Sequence, residues 1–163
     1  MDEIFEKAIA ETMTWVVDTI LIPHFMSLGL NATGEWVANV GTRVEKNKGI
    51  ISGRKYSEQL VWGRKPMNEG NATHEEKAKW AAGMANYNPK FKQWLRARGL
   101  TEYGFQVAYK IADVGTEIYK NGGTDLLEIL EAPETIDKIN AHLGQQLSVN
   151  VQLFLEREIV KAW

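Results

Sequence analysis

The chain has 163 residues, with 19 Lys and Arg against 21 Asp and Glu, and no cysteine. That length suffices for a real core in one domain, and the lack of thiols excludes disulfides and thiolate metal sites. A formal charge of −2 supplies no field to draw in nucleic acid or a membrane surface, and the longest apolar run, Ile20-Leu21-Ile22, is far short of a bilayer span.

Met1-Asp2-Glu3 is acidic where a secretion signal would be basic, so the chain is expected to be made in a cytosol and to stay soluble. From Asp2 to about Leu28 the sequence reads as one long helix. Phe5, Ile9, Met13, Val16 and Ile20 form an apolar stripe at helical spacing, and Asp2, Glu3 and Glu6 suit the positive end of the helix dipole. Pro23 should kink or end this helix, with Gly29 closing it. Thr33 then caps a short helix through Trp36, Val37 and Val40.

Thr42 to Pro66 is the stretch that does not read as helix. Thr42-Arg43-Val44-Glu45 and Ile50-Ile51-Ser52 are short β-branched runs joined by Asn47-Lys48-Gly49, which predicts a β-hairpin over about 42–53. A lone hairpin cannot bury a face by itself, so it must lie on helices, on another subunit's strands, or on both. Gly53 releases the chain into Tyr56–Trp62, Gly63 ends that run, and residues 64–72 read as a polar loop.

The remainder is helical. Thr73 with Glu76 is a capping box that starts a helix over 73–86. Asn88-Pro89 starts another over 89–98. A helix over 101–120 carries Val107, Ile111, Val114 and Ile118 in its core stripe. Gly104, Ala108, Ala112 and Gly115 on it permit close approach. Asn121-Gly122-Gly123 breaks it, and Thr124 caps a short turn. From Pro133 to 161 a last helix shows Ile136, Ile139, Leu143, Leu147, Val151 and Phe154, more apolar face than a domain edge needs. The expected architecture is a single mainly α-helical α+β domain over 1–163, with one β-hairpin packed on helices.

Catalytic patterns are sparse. Ser27, Ser52, Ser57 and Ser148 lie in no nucleophile elbow, and His24, His74 and His142 stand apart from one another in sequence, without metal-ligand spacing. No cofactor is expected. Glu35 and Glu58 are the best pair for glycoside hydrolysis, each near a tryptophan. That pair makes a cell-wall-active hydrolase one alternative, although among 21 acidic residues it arises easily by chance. Six tryptophans are read as core and interface residues before they are read as a stacking surface. Arg43, Lys46, Lys48, Arg54, Lys55, Arg64 and Lys65 cluster around the hairpin, either as a solvated edge or as a rim for phosphate groups. Alternation along the strand places Arg43 and Glu45 on one face, so this charge is partly paired with itself.

A long helix, a hairpin, the run Tyr56-x-x-x-Leu-Val-x-Gly63-Arg64-x-Pro66, and the later Gly123-Thr124-Asp125-Leu126-Leu127 follow in that order. This order resembles the tail-completion, or head–tail joining (neck), proteins of tailed bacteriophages. Ile20–Val40 and Gly53–Pro66 look closest to the versions in phages of Bacteroidetes hosts, crAss-like podoviruses among them. Val61-Trp62 departs from the acidic–aromatic pair usual before the glycine, and the helices between Thr73 and Gly99 are larger than the family's linking loop. The resemblance implies a virion protein forming a six- or twelve-fold homo-oligomeric ring with neck, portal or tail proteins, with non-specific contact to genomic DNA in its channel and no membrane. It further implies that Arg43, Arg54, Tyr56, Trp62, Gly63 and Arg64 form the subunit interface or channel. Tyr56 and Trp62 would pack the hairpin's exit, Gly63 would supply the turn, and Arg54 and Arg64 would pair across subunits or face DNA. The local alternative puts both aromatics in the monomer core, Gly63 at a helix stop and both arginines in solvent. A small phage-encoded inhibitor of a host complex is the remaining alternative.

Overall fold

The structure, a computed structural model, describes residues 2–54 and 56–161, the side chains of 157–161 excepted, so Lys55 of the basic cluster and Trp163 lie outside the described residues. It is 69% helical with a single two-stranded antiparallel sheet, the mainly helical α+β class that the sequence indicates. Where one domain is expected, the fold gathers into two compact units. The first comprises residues 2–28, 37–54 and 127–161, the second residues 29–36 and 56–126.

The first unit is organised on its N-terminal helix. α1 (Asp2–Val16) continues through a π-turn (Val17–Leu21) into α2 (Ile22–Ser27). Ala8, Thr12 and Val16 are buried at steps of four; beyond them Val17, Leu21 and Phe25 are buried at the same step. The π-turn's extra residue re-phases the helix by one position, which keeps a single face inward across the whole length. The expected stripe is therefore displaced: of Phe5, Ile9, Met13, Val16 and Ile20, only Val16 is fully buried, and Phe5 is 44% exposed. A small residue and a polar one, Ala8 and Thr12, hold the buried face, and apolarity alone does not mark them. Pro23 does not end the helix, because it falls in the first turn of α2, a position where proline fits.

Two elements pack on α1. The hairpin, β1 (Gly41–Glu45) and β2 (Lys48–Ser52), lies over Ile9 and Met13. α8 (Pro133–Lys161) lies along another side. There His142 stacks on Trp15 with ring centroids 4.4 Å apart and meets the Thr12 hydroxyl at 3.3 Å. Further on, the buried Asn150 donates to Glu11 at 3.2 Å. Past Asn150 every residue from 151 to 156 is exposed, including Val151, Leu153, Phe154 and Leu155.

In the second unit, α4 (His74–Tyr87), α5 (Pro89–Ala97) and α6 (Gly104–Val114) enclose a core of Ala81, Phe91, Leu95 and Ala108, with Trp80, Met84 and Trp94 packed against it. Both expected caps form. The Thr73 hydroxyl accepts from the Glu76 N–H at 3.2 Å, and the Glu76 carboxylate accepts from the Thr73 N–H at 2.8 Å. Asn88 accepts from the Phe91 N–H at 2.9 Å, with Pro89 at the first helical position. Ala81, Ala108 and Ala112 are small and fully buried, so α4 and α6 approach closely. The helix expected over 101–120 instead breaks at Gly115 (φ 80°, ψ −176°) and resumes as α7 (Glu117–Lys120) under a Thr116 cap. The run Tyr56–Trp62, expected outside the helices, forms α3 (Ser57–Trp62).

Candidate functional site

The hairpin sits closer to its helix than the sequence reveals. Its turn is Lys46-Asn47, with φ of 45° and 62°, not Asn47-Lys48-Gly49. Positive φ at both central residues is the geometry that matches strand twist in a two-residue turn. The register moves by one because Gly49 is needed within β2, opposite Val44: a Cβ there would run into the Met13 side chain and lie 3.2 Å from Ile9. Only a bare backbone fits between the sheet and α1.

The pairing is Gly41 with Ser52, Thr42 with Ile51, Arg43 with Ile50, Val44 with Gly49 and Glu45 with Lys48. A two-residue turn makes Glu45–Lys48 a hydrogen-bonded pair, and the alternation of an antiparallel ladder then turns the backbone groups of Thr42, Val44, Gly49 and Ile51 outward. Among the described residues, no backbone hydrogen bond from another element reaches either outer edge. Arg43 pairs with Glu45 at 3.0 Å on the exposed face, as strand alternation requires. Arg54 donates to the Asn39 side chain at 2.9 Å. Both arginines at the hairpin thus have intramolecular partners.

Tyr56, Trp62, Gly63 and Arg64 belong to the second unit, where backbone bonds join residues 60–64 to 116–124. The Thr116 N–H donates to the Arg64 carbonyl at 3.0 Å, and the Arg64 N–H donates to the Thr116 hydroxyl at 2.8 Å. The Thr124 N–H donates to Val61 at 2.7 Å and its hydroxyl to Leu60 at 2.9 Å. Thr124 is thus a clasp between distant segments and not the cap of its own turn. Gly63 (φ 72°, ψ −174°) is in a region open essentially to glycine alone, and a Cβ there would collide with the Tyr119 backbone and the Thr116 hydroxyl. Its role is close approach more than turning.

Trp62 is 63% exposed, its ring edge beside Gly123, so it does not pack a core. Tyr56 precedes α3 half-buried, its carbonyl accepting from Gln59 at 2.9 Å, and Trp36 donates to Ser57 at 3.1 Å. The Arg64 guanidinium lies 4.6 Å over the Trp80 ring, a cation–π contact within its own unit. Geometry therefore divides the six residues between two units: Arg43 and Arg54 at the hairpin, Trp62, Gly63 and Arg64 at the clasp, and Tyr56 just ahead of α3 in the same unit as the clasp.

Of the carboxylates considered for hydrolysis, Glu35 is held by Lys90 at 2.9 Å, while Glu58 is exposed in the first turn of α3. His74 meets the Tyr109 hydroxyl at 2.7 Å, and Lys77 binds Asp113 at 2.7 Å. The Asp113 hydrogen bond raises the Lys77 pKa, and the two hydrogen bonds from Thr73 lower that of Glu76. Among the described residues, no three His, Asp or Glu side chains gather as a metal site, and no helix is long and apolar enough to cross a membrane. No protein-family model matches this chain, and neither a curated protein nor a solved structure shows significant similarity to it.

Proposed function

We infer that this chain is a structural ring subunit of the head–tail junction or upper tail of a tailed bacteriophage, working by contacts between copies and with neighbouring neck, portal or tail proteins. One observation carries the reading: a hairpin clamped on α1 whose two outer edges have no strand partner among the described residues. An open edge invites pairing with another chain. Head-to-tail strand addition between identical subunits gives each edge a partner, and when the rotation closes it yields a ring. The exposed apolar end of α8 and the exposed Trp62 add surface of the kind that interfaces use. The order of hairpin, Tyr56, Gly63-Arg64-x-Pro66 and the later Gly123-Thr124-Asp125 run supplies the phage context.

Light scattering on the purified protein with negative-stain imaging tests this, alone and after addition of portal or tail proteins. Rings of six- or twelve-fold symmetry support it, as does finding the chain in purified particles by mass spectrometry. Val44→Pro removes an outward N–H, a change edge strands tolerate. It should dissociate the rings while leaving the helical circular dichroism intact. A strict monomer that neither assembles nor occurs in particles sinks the reading, and capture of one host complex would then favour an inhibitor.

A further inference from the structure

We propose that Asn121 is a site of spontaneous deamidation, a covalent change that loosens the clasp between residues 60–64 and 116–124. Among the chain's asparagines only Asn121 precedes a glycine. Both residues are exposed at the end of α7, and a Cβ at Gly122 would meet no atom within 4 Å. No side chain on Gly122 shields its nitrogen, and glycine lets the backbone swing freely about it. In the reaction the Gly122 nitrogen gives up its proton to solvent base and bonds to the Asn121 Cγ. The Cγ–Nδ2 bond breaks, the amide nitrogen takes a proton and leaves as ammonia, and a cyclic succinimide remains. Water then opens the ring at either carbonyl, giving aspartate or isoaspartate. The balance is a water taken up and an ammonia released, with no oxidant, reductant or further reagent.

The folded turn acts as a brake on this step. With ψ of 5° at Asn121, the Gly122 nitrogen eclipses the residue's own backbone nitrogen and not its Cβ, so ring closure needs a rotation. The Gly122 N–H also donates to the Tyr119 carbonyl at 3.1 Å, and the Asn121 N–H to the Glu117 carbonyl at 3.0 Å. Both bonds close α7, a single turn of four residues whose cap is the Thr116 hydroxyl. So short an exposed element opens locally far more often than the whole unit unfolds. The product acts beyond the turn. Isoaspartate inserts a methylene into the main chain, and the residues that follow have no slack to absorb it. Gly123 donates to the Ile118 carbonyl at 2.9 Å, and a Cβ on it would stand 2.8 Å from the Val61 carbonyl. Thr124, whose N–H and hydroxyl bind Val61 and Leu60, comes next.

The test is incubation of the folded full chain in heavy-oxygen water at neutral and mildly alkaline pH, followed by peptide mapping with mass spectrometry. Conversion should be first order, rise with pH, concentrate at Asn121, and yield aspartate and isoaspartate that carry the heavy oxygen. It should run slower than in urea. T116A removes the cap and should speed conversion in the folded chain by about fivefold. N121Q should abolish it, because glutamine has to close a larger ring. Chain separated in the isoaspartate form should exchange the Thr124 amide about fivefold faster than fresh protein, the worth of one hydrogen bond. N121D changes the charge without lengthening the main chain and should leave that exchange near the fresh value. Circular dichroism verifies that the variants fold. No conversion at Asn121 in the folded chain, conversion spread equally over the other asparagines, a T116A rate equal to wild type, or unchanged Thr124 exchange in the isoaspartate form would each overturn the proposal. Every readout is made on the single chain, so the outcome is independent of whether rings assemble.

Discussion

The two units hold themselves together by different means. In the first, side chains do the joining: Phe25, Leu21 and Val16 fill the interior, His142 stacks on Trp15, and Asn150 reaches Glu11. Its backbone groups at the sheet margins are left over. The second has a side-chain core of its own, Ala81, Phe91, Leu95 and Ala108, and adds a clasp in which main chain bonds to main chain and to two threonines, with Gly63 allowing the segments to touch. A unit joined through side chains keeps backbone free for a partner, whereas a clasp made of backbone uses those groups up.

Truncating the side-chain interior should cost most. Phe25→Ala removes a ring that is 1% exposed and should destabilise by about 3–5 kcal/mol in urea unfolding. Amide exchange should speed up first in α1 and α8; faster exchange confined to α4 and α6 would break the contrast. Gly63→Ala adds one methyl and takes no atom away. It should still cost about 1–3 kcal/mol for backbone strain alone, and more for the collision, with weaker amide protection at Thr116 and Thr124. An unchanged midpoint would show that the clasp is not essential to the second unit.

Smaller effects sharpen the picture within the second unit. Thr73→Ala should cost about 1 kcal/mol by uncapping α4. Because the folded-state pKa of Glu76 is lowered, the carboxylate's share of the cap is present above the ordinary glutamate pKa and is lost as pH falls through the folded value. The gap between Thr73→Ala and wild type should therefore narrow in acid, and a gap independent of pH would remove Glu76 from the cap. Lys77 behaves in the opposite sense. Its pKa is raised by Asp113, so the pair's contribution is complete below the ordinary lysine pKa and is lost as pH rises through the folded value. Asp113→Asn should be less stable than wild type at neutral pH and converge with it only in strong alkali.

Local signals survive folding well here. The Thr73–Glu76 and Asn88–Pro89 caps, the hairpin, and the small-residue face of Ala108 and Ala112 were all legible, because each depends on neighbours in sequence or on one helical period. The re-phasing between Val16 and Val17 was not legible, since one inserted residue leaves the apolar count unchanged while moving the buried face. Gly115 read as a packing glycine because Val114 and Ile118 keep helical spacing across the break. Gly49 read as turn because its need for a bare backbone arises from Met13, far away in sequence. Trp62 was assigned to packing by residue type, and only its surroundings show that it faces outward.

The bonds between Arg64 and Thr116 join positions 52 residues apart. Everything between them, α4, α5 and α6 with their own core, leaves and re-enters beside this pair, and Lys90 to Glu35 and Arg98 to the Gly29 carbonyl tie it to residues 29–36 as well. Loop-closure entropy grows only slowly with length, so a chain pinned at such a pair tolerates a long excursion nearly as well as a short one. Insertions in the loops of that excursion should therefore add little closure entropy, while the helices it carries keep their own core.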